Sequence, residues 1–201
     1  MSEWRRILLV GIGGQGVLSA GRWIGEAATA CGVPVVVGQI HGLSQRGGSV
    51  QAPIALGGAG SWEIPDGSAD ALVAFEPMEG ARALNKVSSR TTAIVNTRPI
   101  LPISLQSAGR LYPPLSSLLG PLEEAAGSFT ATDATSLAVA AGSHRALNVV
   151  MLGMLAASNL LPFPGERLLD VISGAGIPGL AEVDPDAFRM GEEALKEVQT
   201  S

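Results

Sequence analysis

Cysteine is almost missing from this chain: Cys31 is the single one in 201 residues. One thiol builds no disulfide framework, and alone it holds neither an iron–sulfur cluster nor a cysteine-ligated zinc ion. Charge is scarce as well, at 15 % of residues with a net of −5 and no acidic or basic block. Aromatic residues make up only 4 %. The chain therefore lacks both the electrostatic footprint and the stacking surface of a nucleic-acid binder. Histidine is confined to His41 and His144, and neither has a carboxylate near it in sequence, so Ser44 and Ser49 have no evident triad. The strongest apolar helical stretch, Val149 to Ala157, is too short to span a bilayer, so no membrane association is expected. The start, Met1-Ser-Glu-Trp-Arg-Arg6, runs straight into an apolar strand without the plan of a signal peptide, which points to the cytoplasm.

What is plentiful is apolar side chain, at 46 %, with 26 glycines and 13 prolines dispersed among the apolar runs. Such a chain buries a full core and is expected to form a single domain over 1–201 with many tight connections. Its low charge leaves neutral surface of the kind that subunits bury against one another.

Arg5–Val10, Val33–Val37, Ser49–Leu56, Ala69–Phe75 and Thr91–Val95 read as short strands; Gln15–Ala30 and Met78–Lys86 read as helices between them. From Leu115 onward helices dominate: Leu115–Ala126, Ala134–Ala141, Leu147–Ser158, Glu166–Ser173 and Pro185–Val198, the last with Asp184 placed to cap it. The pattern predicts an α/β fold, Rossmann-like, with a mainly parallel sheet, helices on both faces and a helix-rich C-terminal part.

Two glycine-rich loops stand out. Gly11-Ile-Gly-Gly-Gln-Gly16 follows Ile7-Leu-Leu-Val10 and opens a helix, the setting in which backbone amides approach a phosphate. His41-Gly-Leu-Ser-Gln-Arg-Gly-Gly-Ser49 lies one βα unit later. Together they suggest one anion-binding rim made of Gly11, Gly13, Gly14, Gln15 and Gly16 with His41, Ser44, Gln45, Arg46, Gly47 and Gly48. A nicotinamide or flavin dinucleotide site needs an acidic residue about 20 residues further on. Between Glu26 and Glu63 there is none, which weighs against that ligand. Other readings stay open: the glycines serve close helix–strand packing, and Arg46 grips either an anion or a partner subunit. Glu76-Pro-Met-Glu79 is a helix start or a functional strand end, Arg98 joins the rim or sits in a surface turn, and Met151 and Met154 pack in a core or an interface.

Five segments in order carry a resemblance: Gly11-Ile-Gly-Gly-Gln-Gly-Val17, His41-Gly-Leu-Ser-Gln-Arg-Gly-Gly-Ser-Val50, Ala69-Asp-Ala-Leu-Val-Ala-Phe-Glu-Pro77, Asn96-Thr97 with Pro99-Ile100, and Asn148-Val-Val-Met-Leu-Gly153. The chain resembles the gamma-type subunit or domain of the 2-oxoacid:ferredoxin oxidoreductases, and within them the small (beta) subunit of the indolepyruvate enzymes. The resemblance implies a subunit of an enzyme that decarboxylates a 2-oxoacid, joins the acyl group to coenzyme A and reduces ferredoxin. It also implies that thiamine diphosphate and [4Fe-4S] clusters belong to a large (alpha) partner subunit, and that the chain is inactive alone. It assigns no catalytic residue and no metal ligand here. The rival expectation is a self-contained nucleotide- or coenzyme A-binding regulatory protein of doubly wound fold.

Overall fold

The computed structural model describes residues 4–41, 48–58, 60–101, 109–176 and 183–200. Its sheet contains β1 (Arg5–Ile12), β2 (Val35–Val37), β3 (Ile40–His41), β4 (Ser49–Leu56), β5 (Ala71–Ala74), β6 (Thr92–Asn96) and β7 (Ser128–Thr132). The order across it is β2-β4-β1-β5-β6-β7, with β3 paired beside β4. β1, β5, β6 and β7 pair in parallel. β4 runs against β1 over its full length, from Ile12 opposite Ser49 to Arg5 opposite Leu56, and against β2 and β3. β4 is thus the one reversed strand among those described, and the sheet is mainly parallel as its sequence predicts.

The reversal follows from chain length. A parallel return needs a crossover of a dozen or more residues, and only residues 42–48 separate β3 from β4. One consequence is that β1 and β2 are not neighbours, because β4 is inserted between them.

Seven helices are described: α1 (Val17–Ala30), α2 (Pro77–Arg82), α3 (Leu115–Ala125), α4 (Ala134–Ala140), α5 (Leu147–Ala157), α6 (Gly165–Gly174) and α7 (Asp184–Thr200). Alternate residues of a strand face opposite sides of a sheet, and this sorts the core into two clusters. Ile7, Leu9, Ile54, Val73 and Ile94 pack with α1 and α4–α7 on one face. Leu8, Val10, Leu72, Ala74 and Val95 pack with Leu122 of α3 and with Ala83 and Leu84 just beyond α2 on the other. The centre strands are covered on both sides, which is why they read as unbroken apolar runs rather than as alternating ones.

α5 is buried at every position from Leu147 to Leu155, Met151 and Met154 included. Its fit against α7 depends on glycine. A Cβ on Gly153 would lie 2.1 Å from the Phe188 carbonyl oxygen, and one on Gly191 would lie 2.1 Å from that of Val150. Two helices therefore meet backbone to backbone. Among the described residues, no helix is long and apolar enough to cross a membrane. The sequence reading missed β3 and β7. β7 is Ser-Phe-Thr-Ala-Thr, too polar to announce itself, and it is recruited by pairing with β6.

Candidate functional site

The carboxyl ends of β1, β5 and β6 lie side by side, as their parallel register requires. In open α/β sheets this is the edge where ligands bind. Here the first glycine loop leaves β1 and enters α1. Gly16, at φ +78°, is the residue before the helix, in a left-handed conformation that side chains resist. It gives α1 no side-chain cap, and the first turn holds no acidic residue. The first intrahelical bond runs from Ala20 N–H to the Gly16 carbonyl at 2.9 Å. The amides of Val17, Leu18 and Ser19 lie ahead of it, without acceptors in the helix. That end carries the positive pole of the helix dipole.

The loop is fixed from inside. Gln15 Nε2 donates to the Phe75 carbonyl at 2.8 Å, and Gln15 Oε1 accepts from Ile12 N–H at 2.8 Å. Asn96 Nδ2 donates to the same Phe75 carbonyl at 2.9 Å, so one oxygen at the end of β5 ties β1's loop to the end of β6. Gly11 is packed beneath, against Val17 and Phe75. Gly13 N–H donates to the Gly48 carbonyl at 2.9 Å, joining the first glycine loop to the end of the second. Ser44, Gln45, Arg46 and Gly47 lie outside the described residues. His41 is exposed at the end of β3.

The glycine loop borders two clefts. The smaller, about 290 Å³, lies on the Val50 side, between Gly13, Gly14, Gly16 and Ser19. The larger, about 520 Å³, opens from Gly13–Gly16 toward Arg98, Thr135, His144, Arg145 and Asn148. Arg98 thus lines a cleft rather than a plain surface turn. Its Nη2 is held by Asp133 Oδ2 at 2.8 Å and Ser136 Oγ at 3.0 Å. His144, Arg145 and Asn148 come from the turn into α5, roughly 130 residues from the loop they face by the chain numbering. No short motif joins such distant parts. The only hint was Asn148, a lone amide opening an apolar helix, within the last of the five segments.

Glu76, at the end of β5, proves to be a cap. It is fully buried, and its Oε2 accepts from the Met78 and Glu79 amides at 2.8 and 3.1 Å. Oε1 accepts from Ile100 N–H at 3.1 Å and from the Tyr112 hydroxyl at 2.6 Å. Burial, then the hydrogen bond to Glu76, pushes the Tyr112 phenol far above its ordinary range, so it stays a donor. The helix-start reading of Glu76-Pro-Met-Glu79 is the right one. Pro77 stands at the first helical position, where no amide is lost.

Among the described residues, no group of three His, Cys, Asp or Glu side chains could hold a metal ion. Cys31 is exposed at the end of α1. A four-cysteine cluster does not fit the donors of this chain, which has one cysteine in all.

Residues 6–194 match the family described as pyruvate ferredoxin/flavodoxin oxidoreductase. The chain belongs to that family. It is 41 % identical over 191 residues to indolepyruvate oxidoreductase subunit IorB of Methanothermobacter thermautotrophicus, covering 95 % of this chain and 97 % of that one. It is 37 % identical over 203 residues to the subunit of the same name from Thermococcus kodakarensis, covering 98 % of each. The fold is shared with the gamma subunit of a keto/oxoacid ferredoxin oxidoreductase from Geobacter sulfurreducens, with a TM-score of 0.69 at 22 % identity over 96 % of this chain and 99 % of that one. It is shared also with 2-oxoglutarate:ferredoxin oxidoreductase from Magnetococcus marinus, with a TM-score of 0.75 at 19 % identity. That match covers 98 % of this chain and 32 % of the other.

Proposed function

We propose that this chain is the small subunit of an indolepyruvate-type 2-oxoacid ferredoxin oxidoreductase, inactive alone and working in the cytoplasm beside a large alpha subunit. The partner carries thiamine diphosphate and the [4Fe-4S] clusters. The complex converts an arylpyruvate and coenzyme A to acyl-coenzyme A and carbon dioxide, passing two electrons to ferredoxin. The observation that carries this reading is the end-to-end likeness to IorB, 41 % identity over 95 % of the chain. The chain's own chemistry supports it, since one cysteine leaves the electron-carrying clusters to another subunit.

Within the complex, the glycine loop Gly11–Gly16 and the segment from His41 through Ser44, Gln45, Arg46, Gly47 and Gly48 form the rim that meets a phosphate of coenzyme A. The uncapped start of α1 and the bond between Gly13 and Gly48 support this placement. The test is purification from the native source followed by assay with indolepyruvate, coenzyme A and a ferredoxin. The expected result is a thiamine-containing partner and reduction of ferredoxin that requires both chains. A solitary chain, or a complex inert toward every arylpyruvate, contradicts the proposal.

A further inference from the structure

One edge of the sheet is left open. β2 and β3 lie on a single register with β4, from Val35 opposite Leu56 to His41 opposite Val50, with no residue inserted between them. They act as one strand, and among the described residues no other strand pairs with its far side. The bonds to β4 fix which groups point that way. Gly38 N–H donates to the Pro53 carbonyl at 2.8 Å and Gly57 N–H to that of Pro34 at 2.9 Å, so the even-numbered residues face β4. In an antiparallel ladder the residues between them turn their backbone groups outward. Those are Val35, Val37 and Gln39. Val33 ends the run, because its N–H is taken by the Ala28 carbonyl at 2.9 Å.

Sheet edges in native proteins are guarded by lysine, proline or a bulge. Val35-Val-Val-Gly-Gln-Ile-His41 has none of these. Both of its flanks are apolar. On one side an open groove of about 530 Å³ runs between α1 and the edge, lined by Gly25, Ala30, Val35 and Val37. On the other, Ile40 and Trp62 stand 45 % and 39 % exposed, and the Trp62 indole lies against Gly38. The wall that α1 gives the groove carries one charge of each sign, Arg22 and Glu26, the only charged residues of that helix. Both are exposed, and they lie 3.5 Å apart. Val37 is level with them, beneath Gly21 and Gly25, its methyls 3.6 and 3.0 Å from where Cβ atoms there would stand.

We propose that this edge pairs with the same edge of a second copy of the chain, antiparallel about a two-fold axis at Val37, so that one sheet runs through both copies. Val37 then exchanges both backbone bonds with its counterpart, and Val35 does so with Gln39 of the other copy. The two-fold axis reverses the direction of α1, which sets Arg22 of each copy opposite Glu26 of the other. The groove wall is its own electrostatic complement; an unrelated strand matches it only by bringing both charges in that order. The same pairing covers the valines, Ile40 and Trp62 together, and tryptophan is among the side chains that anchor interfaces.

Sedimentation velocity of the full chain reads the association, and amide hydrogen exchange locates it. The parent is expected to dimerise, with the Val35, Val37 and Gln39 amides protected in the dimer and open to exchange on dilution. Gln39→Pro removes an outward amide at an exposed position; it, Arg22→Glu and Glu26→Arg are each expected to weaken dimerisation about tenfold. Mixing the Arg22→Glu chain with the Glu26→Arg chain restores opposite charges across the axis. A mixed dimer of near-parental affinity is expected, although each chain still carries like charges on its own helix. A chain that stays monomeric at near-millimolar concentration overturns the proposal, as does a dimer indifferent to all three variants, or a mixture that associates no more tightly than either charge variant alone. Protection of the Val37 amide only in the complex with another subunit assigns the edge to a strand of that partner, and likewise overturns it.

Discussion

Two helices start at the same edge of the sheet, one βα unit from each other in space, and their first turns are treated in opposite ways. α2 follows β5 and is closed by its own chain: the buried Glu76 carboxylate takes two of its amides and two further donors from Ile100 and Tyr112. α1 follows β1 and is left open, with Gly16 in the cap position and no carboxylate in its first turn. A helix start buried without partners is a defect unless something else supplies the acceptor. On the proposed function, the difference separates a terminus closed for structure from one left open for a ligand, on the same layer of the same fold.

The closed terminus should be the costlier one to damage. Glu76→Ala removes four hydrogen-bond acceptor contacts inside the protein and leaves the Tyr112 hydroxyl without its main acceptor, so a loss of about 3 kcal/mol in chemical denaturation is expected. A loss below a few tenths would mean that the cap contributes nothing and that the contrast with α1 is only geometric. Gly16→Ala attacks the open terminus. A side chain at φ +78° is strained, and its Cβ would stand 2.6 Å from Asn148 Nδ2. About 2 kcal/mol of stability should go, together with binding of any phosphate ester in the larger cleft.

A third helix start sharpens the comparison through pH. Asp184 opens α7, is 1 % exposed, and has no partner for Oδ1. Burial pushes its carboxyl up to about 6 from an ordinary 3.8. Between these values the unfolded chain gives up a proton that the native one keeps, so this group's contribution to stability falls as pH rises from about 4 to 6 and stays low above it. Asp184→Asn is expected to flatten that fall and to raise stability at pH 7 by roughly 1 kcal/mol. Unchanged pH dependence of the melting temperature would show that Asp184 is not a strained carboxylate. The smallest effect concerns Arg98. Asp133→Asn keeps a good capping residue for α4 but weakens the hold on the guanidinium, and calorimetry should find phosphate esters binding about threefold tighter. Weaker binding would place Arg98 outside the site.

Much of this was legible in the sequence where a local pattern carries the information. Ser49–Leu56 is a strand with the predicted bounds, and the runs Ile7–Val10 and Leu72–Ala74 lie in the buried centre as their composition requires. The predicted Ala69–Phe75 strand contracts to Ala71–Ala74: Ala69 N–H turns to the Lys86 carbonyl, and Phe75 N–H makes the last bond to β1, at the Val10 carbonyl. α7 starts at Asp184, where the sequence suggested a cap one residue ahead of the helix; such boundaries shift by a residue as a rule. What the sequence did not disclose is long-range. The insertion of β4 between β1 and β2 depends on pairing between distant segments, and β7 exists because β6 offers an edge. The far wall of the larger cleft is assembled by packing α5 under the glycine loop. Its residues, His144, Arg145 and Asn148, have no spacing that marks them as one set.

The central claim is that the start of α1 is open for an anion and the start of α2 is not. Amide chemical-shift mapping of the full chain during titration with coenzyme A tests it most directly. The account predicts shifts concentrated at Gly13–Ser19 and Ser143–Asn148, with Met78 and Glu79 unmoved. Shifts at Met78 and Glu79 with none at Gly16 and Val17 would contradict it.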